Sequence, residues 1–593
     1  MRYGCPDRWR RRIFGMEPWI AIDYEAAGMS TIVKPRAGIA VIFIVIFLVR
    51  GVWFMRANSP TYDEAMHLAA GYSHLATGDF RLDPQNPPLI KELLALPLFV
   101  THRSPFTPEP EDWRNAAGYG IGQKFLYRSA LSADRMLLWA RSPNLILGAL
   151  LVGLIGWWAH RLWGANAAIV AVALAAFEPN LIAHSALVTT DVGSTLFIVL
   201  TVYLLWEHRS IRAWPLLAGA GVSLGVALVC KFSSVLLIPL VAFLIALSTF
   251  LGSLQGRESP SVWVFRSAAA FFQVSFFAAL IVPPVYFFRA FGFGPWLSDL
   301  RQFLTLARAG QPAFFLGEYR YEGWWNYHLV AFLLKTPLGS LALIALSLVF
   351  CRAGSSLRPR DASWLLLPVA TILLVTAAAK VDIGLRHVLA VYPFLFVLAS
   401  RLATVRLGRR WLAPGLVGAA LGLTMISSLR VAPHELAYFN EIVGGPSEGY
   451  RYLADSNLDW GQDLKNLKAY TEEQNLPIIY LSYFGSAPPG YYGIRYQYVP
   501  GAWPLEWPPP GDTVPSAAPR KVLAISASNL LDVFDSHAPL FRWLRSRQPI
   551  AKIGYSIFVF DLTNDPAGVA MVERTYALAG LSPPPFTSLA RPD

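Results

Sequence analysis

Cysteine is nearly missing from this sequence. Only 3 occur in 593 residues, at Cys5, Cys230 and Cys351, and their scatter excludes a disulfide framework or a thiolate metal site. Charge is scarce as well. Charged residues make up 15% of the chain and hydrophobic ones 54%, against the roughly 25% charged of an ordinary globular domain. That balance excludes a soluble chain of usual composition. Internal repeats are also lacking, so the symmetry expected of a transporter built from inverted halves is absent.

What the sequence has is apolar runs, each near the length that crosses a bilayer. Eleven are read, at about 37–55, 143–160, 164–177, 192–206, 213–229, 233–250, 267–288, 328–350, 362–379, a tenth ending at Arg401, and 411–429. The net charge of +12 does not point to nucleic acid. Arg and Lys gather in alternate short connections, the positive-inside pattern. The class is therefore a polytopic α-helical membrane protein. The basic stretch 1–36 reads as a cytoplasmic tail before a retained signal anchor, since no small-residue cleavage site follows it. Residues 37–429 form the membrane part, with two large external loops at 56–141 and 289–327. After Arg430 the apolar runs shorten, and strand-like pieces appear at 521–525 and 555–560 around a Pro-rich tract at 503–515. That reads as an external α/β domain over 430–593. An odd number of crossings leaves the N-terminus inside and the C-terminus outside.

The chemistry centres on 59–91, just after the first span. Asp63 and Glu64 stand side by side there, where charge next to lipid is costly unless it is used. A local reading also accounts for them: Thr61-x-x-Glu64 is a capping box, and acids suit a first helical turn. The remaining ionisable residues fall on the same side: Lys91, Asp191, Lys231, Lys335, Asp382, Arg386 and His387. A few acids among several bases suit a substrate that pairs a hydroxyl to be deprotonated with an anion to be held. Each also has a plainer account. Lys231 can snorkel, Arg386 can balance Asp382, Lys91 can pair with Glu92 on a surface helix, and Asp191 can cap the fourth span. His184 and His387 are read as hydrogen-bonding groups rather than metal ligands. Trp324-Trp325-Asn326-Tyr327 is first an interfacial belt and second a place where a sugar could stack. Asp455-x-Asn457-x-Asp459 begins like a calcium loop, but Trp460 takes the glycine position and Asn466 that of the closing Glu. A capped turn entering a helix at 464–470 is expected instead.

Asp63-Glu64, Pro87-Pro88-Leu89-x-Lys91, Pro179-Asn180-Leu181-Ile182-Ala183-His184 with Thr189-Thr190-Asp191, and Lys231-Phe232-Ser233 occur in order. Leu334-Lys335-Thr336-Pro337, Gly384-x-Arg386-His387, Tyr438-Phe439-Asn440-Glu441 and Asp455 to Asp463 follow them. Together they resemble the protein O-mannosyltransferase superfamily of C-type glycosyltransferases, which includes the bacterial aminoarabinose transferase of lipid A. The resemblance implies that fold and a polyprenyl-phosphate-linked sugar as donor. It also implies a protein, lipid or glycan acceptor outside the cytoplasm, and a bacterial inner (plasma) membrane location. Phosphate leaves well when cations hold it, so the reaction asks chiefly for one base at the acceptor hydroxyl. Asp63 is the expected general base, with inversion at the sugar carbon. Glu64 shares or orients it, and Asp191 is a second acid. Lys231, Arg386 and Lys91 are expected at the donor phosphate, and His184, Trp325, Tyr327 and His387 at the substrate. Where relatives carry His or Lys before Pro-Pro-Leu this chain has Asn86, so no metal ligand is assigned and a divalent cation stays open as a cofactor. The rival reading from another class is a transporter or flippase of a lipid-linked solute, which would carry ionisable residues at mid-membrane depth. An outer binding module on inert helices is a third, for which eleven spans are excessive.

Overall fold

The computed structural model describes residues 30–101, 105–256, 259–289, 292–350, 359–405, 411–501, 511–533 and 539–581. Most of the expected basic tail, residues 503–510 of the Pro-rich tract and residues 406–410 lie outside them.

The architecture is a helical membrane-type bundle. Five helices are long and apolar enough to cross a bilayer: Arg36–Ala57, Ala133–Trp163, Phe232–Leu254, Pro260–Val285 and Leu412–Val431. Two bent pairs raise that number to seven. Apolar helices too short for the same test cover Trp214–Cys230, Asp361–Ala377 and Val391–Thr404. Several of the eleven expected spans are thus broken or short.

Both breaks fall at proline, which lacks an N–H and turns the preceding residue away from helical geometry. Ala165–Ala176 and Pro179–Ser185 meet at 65°, and Tyr327–Lys335 meets Leu338–Val349 at 117°. A break in an apolar layer strands backbone groups that must find partners. At the Pro337 break two asparagines supply them. Asn440 Nδ2 donates to the Leu333 and Thr336 carbonyls at 2.7 and 3.1 Å. Asn180 Nδ2 donates to the Lys335 carbonyl at 2.8 Å, joining the two breaks. Lys335 Nζ donates to the carbonyls of Leu436, Tyr438 and Asn457 at 3.0, 2.9 and 2.5 Å. The stretch at 178–191 is a buried, partly helical segment rather than an exposed loop.

The first large loop carries the helices Glu64–Thr77, Pro88–Thr101, Pro110–Arg114 and Gly118–Tyr127. One face of the 88–101 helix is buried, Lys91 and Glu92 included, while Leu96 and Val100 are exposed. Glycines set the packing distance. A Cβ at Gly71 would lie 2.0 Å from the Lys91 carbonyl oxygen, and one at Gly122 2.6 Å from that of Ala65. These contacts bring the 88–101 and 118–127 helices against 64–77.

Toward the C-terminus a five-stranded sheet runs in the order Tyr496–Tyr498, Ile479–Ser482, Val522–Ser526, Ile557–Asp561, Ala551–Ile553. The first three strands are parallel to one another and the last two pairings are antiparallel. Ile479–Ser482 and Val522–Ser526 are buried at every position, as strands covered on both faces must be. The turn at 455–463 leads into the helix Leu464–Glu473.

Asp459 in that turn is fully buried. Its Oδ2 accepts the Ser528 N–H at 2.8 Å, while Oδ1 has no partner among the described residues. Burial pushes its carboxyl up to about 7, against the opposing Ser528 bonds. The folded protein then binds a proton that the unfolded chain releases near pH 4, so stability falls as pH rises from about 4 to about 7. Asp459→Asn removes this loss. Its thermal midpoint, relative to wild type, should rise steadily across that window, as read by unfolding scans in one detergent at several pH values.

Candidate active site

The residue that fixes the opening stretch is Glu64. It is fully buried, and its carboxylate accepts Arg141 Nε at 2.8 Å and Nη2 at 2.7 Å. It also accepts the backbone N–H groups of Thr61 and Val188, each at 2.8 Å. Burial alone would push this carboxyl up; Arg141 and the two amides outweigh it and hold it below its usual range. Arg141 spends its other donors on the carbonyls of Met55, Asn58 and Ser59. The expected capping box is therefore half made. Glu64 receives the Thr61 N–H, but the buried Thr61 hydroxyl finds no partner among the described residues, and the helix begins at Glu64 with Asp63 as its N-cap. With every oxygen engaged, Glu64 presents no free acceptor to a substrate hydroxyl in this structure.

Asp63, one residue earlier, projects differently. Its side chain is 17% exposed. Oδ1 accepts from the Tyr119 hydroxyl at 3.3 Å, and Oδ2 lies 3.5 Å from Arg386 Nη1. Arg386 is 13% exposed and lies over the Trp460 ring, with Cζ 4.3 Å from the centroid. The same indole approaches His184 edge-on at 6.4 Å. Asp191 pairs with Lys231 at 2.5 Å, and only the lysine, at 15%, is exposed. Thus the partly exposed tips here are one acid and two cations, backed by buried groups.

The C-terminal part completes the arrangement. Ser59 N–H donates to the Gln462 carbonyl and Tyr62 N–H to that of Trp460, both at 2.8 Å. Leu385 N–H donates to Asn457 Oδ1 at 2.9 Å, and the Ser456 hydroxyl to the Ile383 carbonyl at 2.6 Å. These bonds bring Trp460 and Asp455 beside Arg386. Burial pushes the Asp455 carboxyl up to about 7 against the pull of Arg386, so it takes a proton near neutrality. His387 is partly buried, and its Nε2, out of reach of solvent, is unpartnered among the described residues. Burial, then Lys231, then Arg386 push its imidazole well below the usual range, so it is neutral at pH 7.

Three expected site residues lie elsewhere. Lys91 is buried and enclosed, reaching the Asp83 carboxylate at 3.1 Å and the carbonyls of Asp83 and Asn86 at 2.7 Å each. Asp83 also holds His67 Nδ1 at 2.8 Å and Asn86 Nδ2 at 3.0 Å. The residue that departs from the expected pattern, Asn86, thus orients Asp83. This network occupies Lys91 fully. Tyr327 is core: its hydroxyl accepts from Asn457 Nδ2 at 2.8 Å. Trp325 is 74% exposed, as a belt residue would be. Tyr119, Trp460, Asp455 and Arg141 were not singled out from sequence as site residues. Among the described residues, no three His, Cys, Asp or Glu side chains gather as metal ligands.

Residues 132–286 match the family model described as dolichyl-phosphate-mannose-protein mannosyltransferase. That segment, well under half the chain, contains His184, Asp191 and Lys231. A glycosyltransferase of that type is the class to which the ordered motifs and the matched segment both point. No curated protein matches the chain. Among solved structures, ArnT from Cupriavidus metallidurans bound to undecaprenyl phosphate is similar at 14% identity, covering 88% of this chain and 98% of that one, with a TM-score of 0.45. The same protein in the apo state gives 12% identity, the same coverage and 0.46. The Archaeoglobus fulgidus oligosaccharyltransferase tethered to an acceptor peptide containing the NVT sequon gives 11% identity, 66% and 54% coverage, and 0.38.

Arg141→Ala should be far more damaging than its distance from Asp63 suggests. It leaves Glu64 charged, buried and unpaired, at a cost of about 3–5 kcal/mol. A large drop in thermal midpoint and in folded yield is expected, and Arg141→Met/Glu64→Leu should recover only part of it, because the carbonyls of Met55, Asn58 and Ser59 and the amides of Thr61 and Val188 still lose their partners.

Proposed function

We propose that this protein is a membrane glycosyltransferase that moves a sugar from a polyprenyl-phosphate carrier to an acceptor hydroxyl on the external side of a bacterial inner membrane. The bilayer holds the carrier, and the acceptor is a protein, lipid or glycan. Eleven passages of the chain, short and broken helices included, carry the N-terminus inside and the C-terminal sheet outside. Asp63 is the general base. Arg386 and Lys231 hold the donor phosphate, and Asp191 fixes Lys231. His184 and His387 border the substrate.

The observation that carries the reading is the contact of Asp63 with Arg386, at 3.5 Å, with a second partly exposed cation, Lys231, acting on the same His387 imidazole as Arg386. Transfer asks for that pairing. The acceptor oxygen must lose a proton where it attacks, and the leaving oxygen must be met by positive charge on the far side of the sugar carbon. Attack opposite to departure inverts that carbon. Two carboxylates, as in a glycosidase, are not needed, because phosphate leaves without being protonated. Tyr119 restrains the Asp63 carboxylate through its Oδ1, leaving the other oxygen toward Arg386.

Asp63→Asn keeps the shape and loses the base. Transfer from labelled polyprenyl-phosphate sugars should fall about a hundred- to ten-thousandfold, with the thermal midpoint little changed. Asp191→Asn, which releases Lys231, should raise the donor KM more than it lowers kcat. Retained transfer in Asp63→Asn removes the base assignment.

A further inference from the structure

Arg386 has two anionic claimants in the proposed reaction. One is Asp63, whose Oδ2 lies 3.5 Å from Nη1. That is longer than the about 2.7–2.9 Å of a strong charge-assisted bond. The other claimant is the donor phosphate. Arg386 has a donor to spare for it: its buried Nε meets no hydrogen-bond partner among the described residues, and an unmet buried donor is costly. The guanidinium rests on the face of Trp460. A π face holds a cation without fixing its in-plane direction, so the fork can turn while staying supported. Lys231 differs, being closed on Asp191 at 2.5 Å.

We propose that Arg386 is handed from Asp63 to the departing phosphate during transfer, and that release of the spent carrier depends on Asp63 regaining its charge. This rests on the reading of Asp63 as base and of a polyprenyl-phosphate donor. The charges balance at each step. The donor is a phosphodiester with one negative charge. As the acceptor oxygen bonds to the sugar carbon, its proton passes to an Asp63 carboxylate oxygen. The bond from that carbon to the phosphate oxygen breaks, and its electron pair goes to the phosphate. Asp63 becomes neutral as the phosphate gains one unit of negative charge. The total charge of the two anions is unchanged, and a single cation touching both stays paired throughout with whichever carries the developing charge. Afterwards the phosphate monoester holds Arg386 without competition. When Asp63 gives its proton to solvent, the restored carboxylate reclaims Arg386 and loosens the carrier.

The test is binding of undecaprenyl phosphate to the purified full chain in detergent, by calorimetry, for wild type, Asp63→Asn, Arg386→Gln and the double variant. Asp63→Asn stands in for the protonated base. It should bind about tenfold more tightly than wild type, the equivalent of about one pKa unit of interaction. In the Arg386→Gln background the same change should give less than about a threefold gain, since only the general field of Asp63 is then removed. Equal binding by wild type and Asp63→Asn, or an undiminished gain without Arg386, overturns the handover and leaves the carrier reading standing. Absence of binding by both wild type and Asp63→Asn overturns the two together. If thermal scans show Arg386→Gln to be unfolded, Arg386→Lys replaces it. That variant keeps the charge but loses the planar fork that spans two anions, and the Asp63→Asn gain should shrink in the same way.

Discussion

A helix broken inside an apolar layer is tolerable only if the chain brings its own polar partners to the break. Asn180 and Asn440 meet that requirement at the Pro337 break, and Lys335 fastens the break to the chain beyond it. Its ammonium closes on three carbonyls between Leu436 and Asn457, while its own carbonyl takes the Asn180 amide. Two kinked helices and the segment leading into the C-terminal sheet are thereby locked at one point. Asn457 extends the lock to the loop bearing Arg386, and Asn440 satisfies the carbonyls at the Pro337 turn. Several motifs of the family pattern are thus explained by backbone satisfaction rather than by chemistry. They hold the frame, and the frame sets where a few exposed charges meet.

Glu64 and Asp63 show how neighbouring residues of one type divide the labour. Glu64 is surrounded, its oxygens taken by Arg141 and two amides. Asp63 is left partly open with a phenol and a guanidinium beside it. The same division recurs at Lys231 and Lys91. One lysine has an acid on one side and solvent on the other, whereas the second is enclosed by Asp83 and two carbonyls. Burial and pairing, not residue type, separate the groups that can act from those that only hold.

The sequence announced the apolar runs, the prolines at the breaks and the strands near 522 and 557. It announced the charged positions too, because charge is rare in this chain and each occurrence stands out. Asp63, Lys231 and Arg386 were legible for that reason. Tyr119 and Trp460 were not: aromatic residues make up 13% of the chain, and nothing local distinguishes one that faces a carboxylate from one that faces lipid. The roles of Glu64 and Lys91 depended on partners that spacing cannot reveal. Arg141 lies 77 positions from Glu64, and the Asp83 that occupies Lys91 reads by itself as an ordinary loop acid. The bend angles at Pro179 and Pro337 were equally hidden, since proline marks a break without saying how far the chain turns.

The Lys335 lock joins segments made far apart in time. The helix Tyr327–Lys335 emerges from the ribosome about a hundred residues before the carbonyls that receive its ammonium. Until then a charged amine waits in or beside the bilayer without its acceptors, a state that costs several kcal/mol. A nascent chain halted before Leu436 carries an unmet lysine in a broken helix, the kind of feature by which membrane quality control can tell unfinished chains from finished ones.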